Sequence, residues 1–259
     1  SIKNLKSFKV YLLFYFLNLK FAKNEGYLGL DFEFNTKVVA LMQINFEQMN
    51  KNLFESSLIF VFDPQQLDRN WNMFFVQKII CNENCYKILH GSDSLDIPFI
   101  YNELLYNDPK FIIKFNKKFI DTKFLCEYKY YSQNNDLGKC KIYHVLKNDG
   151  IISDNKFNEL LENEKKMGPI YDIIININKL SKELIEYTFY DVLYLYYLVK
   201  SYKILKEYSL INELTQFILL EKKNVTKNVP YEEISKINNY MFIANGTKVR
   251  LNDEFKNIL

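Results

Sequence analysis

Alanine is nearly absent from this chain of 259 residues, while Asn, Lys, Ile, Tyr and Phe are plentiful. Those five use A/T-rich codons, so the bias reports an AT-rich genome rather than a function. It also puts Asn and Ile where Ala or Leu would be usual. Cysteine is scarce: Cys81, Cys85, Cys126 and Cys140. No second cysteine pair follows Cys81 and Cys85, which argues against a zinc site; Cys140 with His144 could complete one only at loose spacing. The four are expected as free thiols in a reducing, intracellular compartment. The apolar stretch at 10–19 has only about half the length that spans a bilayer. Lys20-Phe21-Ala22-Lys23 follows it in place of a small-residue cleavage site. It reads as a buried amphipathic helix, and no membrane partner is expected. Charge of one sign is lacking as well: 34 Lys and Arg against 31 Asp and Glu leave +3. That balance permits nucleic-acid binding without arguing for it. The lysine groups around Lys117, Lys165 and Lys222 read as solvated surface. There is no internal repeat.

What is present is a composition ordinary for a folded protein, 48% hydrophobic and 25% charged, in a chain long enough for one sizeable core. Residues 5–22 read as a helix ended by Asn24-Glu25-Gly26. Alternating or continuous apolar runs predict strands at 27–34, 38–46 and 57–62, the last stopped by Asp63-Pro64. Short turns between them predict an antiparallel meander. Helical spacing follows at 68–80 and 97–105, with buried strands near 86–90 and 119–122 and a further helix over 123–131. Residues 132–179 carry weak helical patterns. Ser181 is a fitting N-cap for a strong helix running to about residue 206. Beyond it the pattern predicts short helices with loops near Val229-Pro230 and Asn245-Gly246. The order predicts an α/β fold, a mixed sheet flanked by helices, with an N-terminal helical segment at 1–26, a central domain at 27–202 and a C-terminal helical extension at 203–259.

Asp31 and Glu33 stand two apart on the first predicted strand, so their side chains share one face. Two adjacent carboxylates at the end of an apolar strand repel each other and are costly to desolvate, and a cation relieves both effects. Oxygen ligands of this kind suit Mg²⁺ or Mn²⁺. On the helix at 184–199, Leu184, Tyr187, Asp191, Leu195 and Leu198 form one stripe that is apolar except at Asp191 and the Tyr187 hydroxyl. A carboxylate in such a stripe needs a partner. Between these elements, Leu89-His-Gly-Ser-Asp-Ser-Leu-Asp-Ile-Pro98 ends a strand and opens a helix. That places Asp93 or Asp96 at the sheet end where the first pair lies; either could instead be a helix cap.

Leu30-Asp-Phe-Glu-Phe34, Lys87-Ile-Leu-His-Gly91 with Asp96-Ile97, and Tyr187-Thr-Phe-Tyr-Asp191-Val192 resemble, in order, the three exonuclease motifs of the tyrosine-bearing branch of the DEDD superfamily, closest to the ribonuclease D and Werner-type exonuclease group. Leu41-Met-Gln-Ile44, Phe62-Asp-Pro64 and Asp121-Thr122 add to the likeness, which covers about residues 27–202. The resemblance implies a ribonuclease H-like sheet and 3′–5′ removal of nucleoside 5′-monophosphates from RNA or DNA. It implies two Mg²⁺ or Mn²⁺ ions on Asp31, Glu33, Asp96 and Asp191, and Tyr187 orienting or deprotonating the attacking water. Two departures stand out. The second motif has one extra residue before its acid, which keeps Asp93 beside Asp96. Residues 132–180 lack the Lys-Gln and Ser-x-Trp-like landmarks. A catalytically silent nucleic-acid-binding module, or a structural subunit that meets a protein partner through its C-terminal extension, are the rival readings.

Overall fold

The computed structural model describes residues 5–21, 25–47, 58–126 and 140–201, together with the backbone of 241–244 and 247–250. Strands β1 (Gly26–Asn35), β2 (Val38–Glu47) and β3 (Leu58–Phe62) form the expected antiparallel meander. β4 (Cys85–Leu89) and β5 (Phe119–Asp121) add in parallel, giving the order β3-β2-β1-β4-β5. The fold is thus α/β, a mixed sheet of the ribonuclease H-like kind flanked by helices.

Period-two alternation divides the sheet into two unlike faces. Residues opposite each other on antiparallel strands share a face, so Leu28 with Phe46, Leu30 with Ile44 and Phe32 with Met42 make one apolar side. All six are buried. Helix α1 (Leu5–Phe21) lies here, its Phe8 ring against Phe46, Phe60 and Phe62 of the sheet and Phe75 of α2 (Arg69–Phe75). The N-terminal helix is therefore built into the same core as the sheet. Asp68 caps α2, which runs on through a wider π turn at Val76–Ile80. α3 (Asp96–Phe99) continues likewise over Ile100–Leu104, and Phe99 meets Phe32. α4 (Pro109–Asn116) has no counterpart among the sequence expectations, although Asp108-Pro109 is a cap followed by proline at the first helical position.

The opposite face carries Gly29, Asp31 and Glu33 of β1 beside Gln43, Asn45 and Glu47 of β2. Across it lies α7 (Lys182–Leu193), reached through α5 (Ile142–Asn148) and α6 (Asp154–Met167). Ser181 caps α7 as expected, its Oγ accepting from the Leu184 amide at 3.1 Å. The helix does not run unbroken to 206. It stops at Leu193, and α8 (Leu195–Ser201) begins after Tyr194. Asn45 Nδ2 donates to the carbonyls of Val192 at 3.1 Å and Leu193 at 3.4 Å, and so satisfies acceptors that the break leaves open. Gly29 permits this approach, because a Cβ there would lie 2.9 Å from the Val192 carbonyl oxygen.

Two expectations are corrected. Cys126 and Cys140 form a disulfide, and only Cys81 and Cys85, both buried, are free. The sequence separation of 14 hides this proximity. It arises because His90 at the end of β4 bonds Thr122 Oγ1 at 2.9 Å with one ring nitrogen and the Cys140 carbonyl at 3.0 Å with the other, drawing Cys140 against the helical turn after β5. The bridge also removes Cys140 from any zinc set. Secondly, β6 (Met241–Ala244) and β7 (Thr247–Arg250) form an antiparallel hairpin where short helices were expected. Asn245-Gly246 between them is a favoured hairpin-turn pair. The 127–131 part of the helix expected over 123–131, the region 132–139, the end of the long helix at 202–206 and the loop at Val229-Pro230 lie outside the described residues. Among the described residues no helix is long and apolar enough to cross a membrane.

Gly29→Ala is expected to push α7 off the sheet and destabilise the protein by about 1–3 kcal/mol, measured as a lowered denaturation midpoint. An unchanged midpoint would show that the approach at Val192 is not tight.

Candidate functional site

Pairing of β1 with β4 ends at Gly29 and Ile88. The strands part there, and the side chains next along β1 project into the opening. This is the carboxyl end of the parallel strands, where open α/β sheets place their ligand crevice. Asp31 and Glu33 point the same way from β1, and α7 brings Asp191 over them. One ligand oxygen from each of the three lies within 4.8 Å of the other two. The shared face inferred from strand parity and the helical stripe inferred from spacing therefore meet.

Asp96, in the first turn of α3, lies near these three but outside the close group that they form. It is buried, and its charge bears on Glu33 while Asp31 and Asp191 bear on it. Asp93 is only half-buried and lies beside Asp96 in the turn. The extra residue in this turn is absorbed by a hub at Asp121. Its Oδ2 accepts from Ser92 N at 2.8 Å and Ser92 Oγ at 2.6 Å, and its Oδ1 accepts from the amides of Gly91, Lys123 and Phe124. The Ser92 carbonyl in turn accepts from Ile97 N at 2.9 Å, which starts the helix with Asp96 inward. Gly91 has φ +77°, and a Cβ there would meet Lys123 Cδ at 2.8 Å, so the turn needs glycine.

The acids strongly disturb one another. Burial pushes Asp31 up to about 7. Glu33 is held well above the carboxylate range by burial and then by Asp31, Asp191 and Asp96, against the Gln43 amide that donates to its Oε1 at 3.3 Å. Asp96 is raised by burial and then chiefly by Asp31. Asp191 is raised by burial and Asp31, while the hydroxyls of Tyr187 and Tyr143 oppose the shift by hydrogen bonding. The Asp191 charge, followed by burial, pushes the Tyr187 phenol far up, so its hydroxyl stays protonated and donates.

The surrounding cavity of about 350 Å³ is lined by Asp31, Tyr187 and Asp191, by Glu164 of α6, and by Lys123 and Lys141. His90 also reaches it, but burial lowers its pKa to about 4 and both ring nitrogens are engaged, which makes it a strut rather than a base. Tyr143, Glu164 and the two lysines were not among the expected site residues. They lie in or beside stretches whose periodicity is weak, and nothing local marks them. Gln43 entered the sequence analysis only within Leu41-Met-Gln-Ile44, a supporting feature of the resemblance and not a site residue.

Acceptors crowd this crevice. Among the described buried atoms Gln43 Oε1, beside Glu33, has no hydrogen-bond partner. The carboxylate oxygens of Asp31, Glu33 and Asp191 fit a hard divalent cation, Mg²⁺ or Mn²⁺, by their chemistry, while Asp96 acts on Glu33 through its charge from outside that close group.

The fold and site together define an α/β protein with a ribonuclease H-like sheet and an acidic crevice at its carboxyl edge. No protein-family model matches the chain. It is 38% identical over 275 residues to an uncharacterized protein of Acanthamoeba polyphaga mimivirus, in an alignment covering 95% of this chain and 53% of that protein. The chain thus spans about half the length of the curated relative it matches.

The sign of the pH dependence follows from these shifts. A carboxyl group whose folded pKa exceeds its unfolded value stabilises the fold below the unfolded value and loses that contribution as pH rises through the folded one. For Asp31 the window runs from its ordinary 3.8 to about 7. Metal-free Asp31→Asn protein should therefore melt above the wild type at pH 7.5, with the difference shrinking toward pH 4. Mn²⁺ should raise the wild-type midpoint more at pH 7.5 than at pH 5. A variant that melts lower than wild type at pH 7.5 would contradict the cost of burying the Asp31 carboxylate.

Proposed function

We propose that the chain is a metal-dependent 3′–5′ exonuclease that hydrolyses phosphodiester bonds at RNA or DNA 3′ ends and releases nucleoside 5′-monophosphates. The observation that carries this reading is the convergence of Asp31 and Glu33 of β1 with Asp191 of α7 at one crevice that Tyr187 also lines, with Asp96 buried nearby. It supports the resemblance to the tyrosine-bearing DEDD exonucleases.

The four carboxylates would hold the cations, two in this reading. Bound there, they would supply a more acidic water and charge neutralisation at the phosphoryl group. The chain's own residues supply the rest. Gln43 steadies Glu33. Tyr187, which lines the same crevice beside Asp191, would orient the attacking water or help to deprotonate it. Lys123 and Lys141 on the cavity wall offer positive charge to the backbone of an entering strand, a sequence-independent contact. The acidic floor and basic wall together suit a polyanion whose terminal phosphodiester must reach the cations.

Purified protein with Mg²⁺ or Mn²⁺ should shorten 5′-labelled oligonucleotides one nucleotide at a time. Asp31→Ala should lower the rate by roughly 10³-fold or more, and Tyr187→Phe by about 10²-fold. Absence of laddering on single-stranded RNA, single-stranded DNA and recessed duplex ends with either metal would overturn the enzyme reading. Retained oligonucleotide binding in that case would favour a silent binding module.

A further inference from the structure

Asp191 receives two tyrosine hydroxyls, and the exonuclease pattern accounts for only one. Tyr187 comes from one turn earlier on the same helix. Tyr143 comes from α5, on another wall of the crevice, and its hydroxyl donates to Asp191 Oδ1 at 3.3 Å. The Tyr143 ring is 3% exposed, so its hydroxyl acts on Asp191 from within the core and not as a mobile surface group. The backbone that delivers it is anchored three residues earlier, where Cys140 is bridged to Cys126 and its carbonyl is bonded by His90. Asp191 rotates freely about its terminal torsion unless something holds its carboxylate plane. One hydroxyl on the same helix shares every movement of that helix. A second, from a separately anchored helix, ties the carboxylate to the crevice wall.

We propose that Tyr143 is a positioning residue for the cation site: its hydroxyl occupies Asp191 Oδ1 and turns the carboxylate toward Asp31 and Glu33. The inference rests on the metal-site part of the proposed function, not on the identity of the substrate. Groups that orient a metal-binding side chain typically contribute 10–100-fold to metal affinity, and this one sits at the lower end, through a single neutral hydrogen bond.

The test is Mn²⁺ binding to the full chain by calorimetry, for wild type, Tyr143→Phe and Tyr101→Phe. Tyr101 is the control: it is also buried, and it donates to Asn116 at 2.8 Å, outside the cavity lining. Tyr143→Phe should weaken Mn²⁺ about tenfold and shift the metal dependence of turnover, with excess Mn²⁺ recovering the rate. Tyr101→Phe should lose comparable thermal stability and keep wild-type affinity. Equal Mn²⁺ affinity in wild type and Tyr143→Phe overturns the inference alone, whatever the change in melting. A wild type that binds no Mn²⁺ overturns the metal-site reading and this inference with it. A wild type that binds Mn²⁺ but trims no oligonucleotide overturns only the substrate assignment, and the affinity comparison still decides the role of Tyr143.

Discussion

Burial of Asp31, Glu33, Asp96 and Asp191 near one another is the constraint around which the rest of the structure is arranged. Like charges gathered in a crevice of low polarity oppose folding, and each of these four has its pKa driven upward. The fold overrides that opposition elsewhere. The apolar sheet face, with Phe8, Phe46, Phe60, Phe62 and Phe75 packed together, holds β1 and β2 in register without help from the acidic face. On the acidic face, two small devices set the distance. Gly29 lets the backbone of α7 approach the sheet, and Asn45 binds the carbonyls at its end. Strain of this kind, concentrated at one place and outweighed by the surrounding packing, is the usual mark of a functional site.

The aspartates near the carboxyl edge show how environment divides one residue type into two roles. Asp121 is fully buried, yet it is surrounded by donors: three backbone amides within 3.2 Å on one oxygen, and the Ser92 amide and hydroxyl on the other. It has no need of a cation and serves to shape the Gly91-Ser92 turn. Asp96, five residues beyond Gly91, is presented by that turn to other carboxylates. A buried carboxylate with its donors supplied is architecture. One that faces further carboxylates keeps an uncompensated cost of burial.

Much of this was legible in the sequence. Strand positions, the meander, the Ser181 cap and the Asp63-Pro64 stop all rest on short-range pattern, and each is present in the structure. Less was legible where composition masks pattern. α5 and α6 lie in a stretch rich in Asn, Lys and Glu, and α4, despite its Asp-Pro start, has no counterpart among the sequence expectations. At 241–250 the pattern predicts short helices with a loop near Asn245-Gly246, and the structure has a hairpin there instead. In these cases a local signal existed and was outweighed by weak periodicity around it.

By itself the sequence determined which residues share a face. Periods of two and of about 3.6 are properties of the local backbone, so Asp31 with Glu33, and Tyr187 with Asp191, could be paired before any tertiary contact was known. Only the tertiary structure decided which faces meet. It buried Asp96 near the crevice after the turn that Asp121 and Ser92 shape, brought Tyr143 to Asp191 across a separation of 48, and closed Cys126 onto Cys140. Such distances depend on how α5, α6 and α7 pack over the sheet, and no local period carries that information.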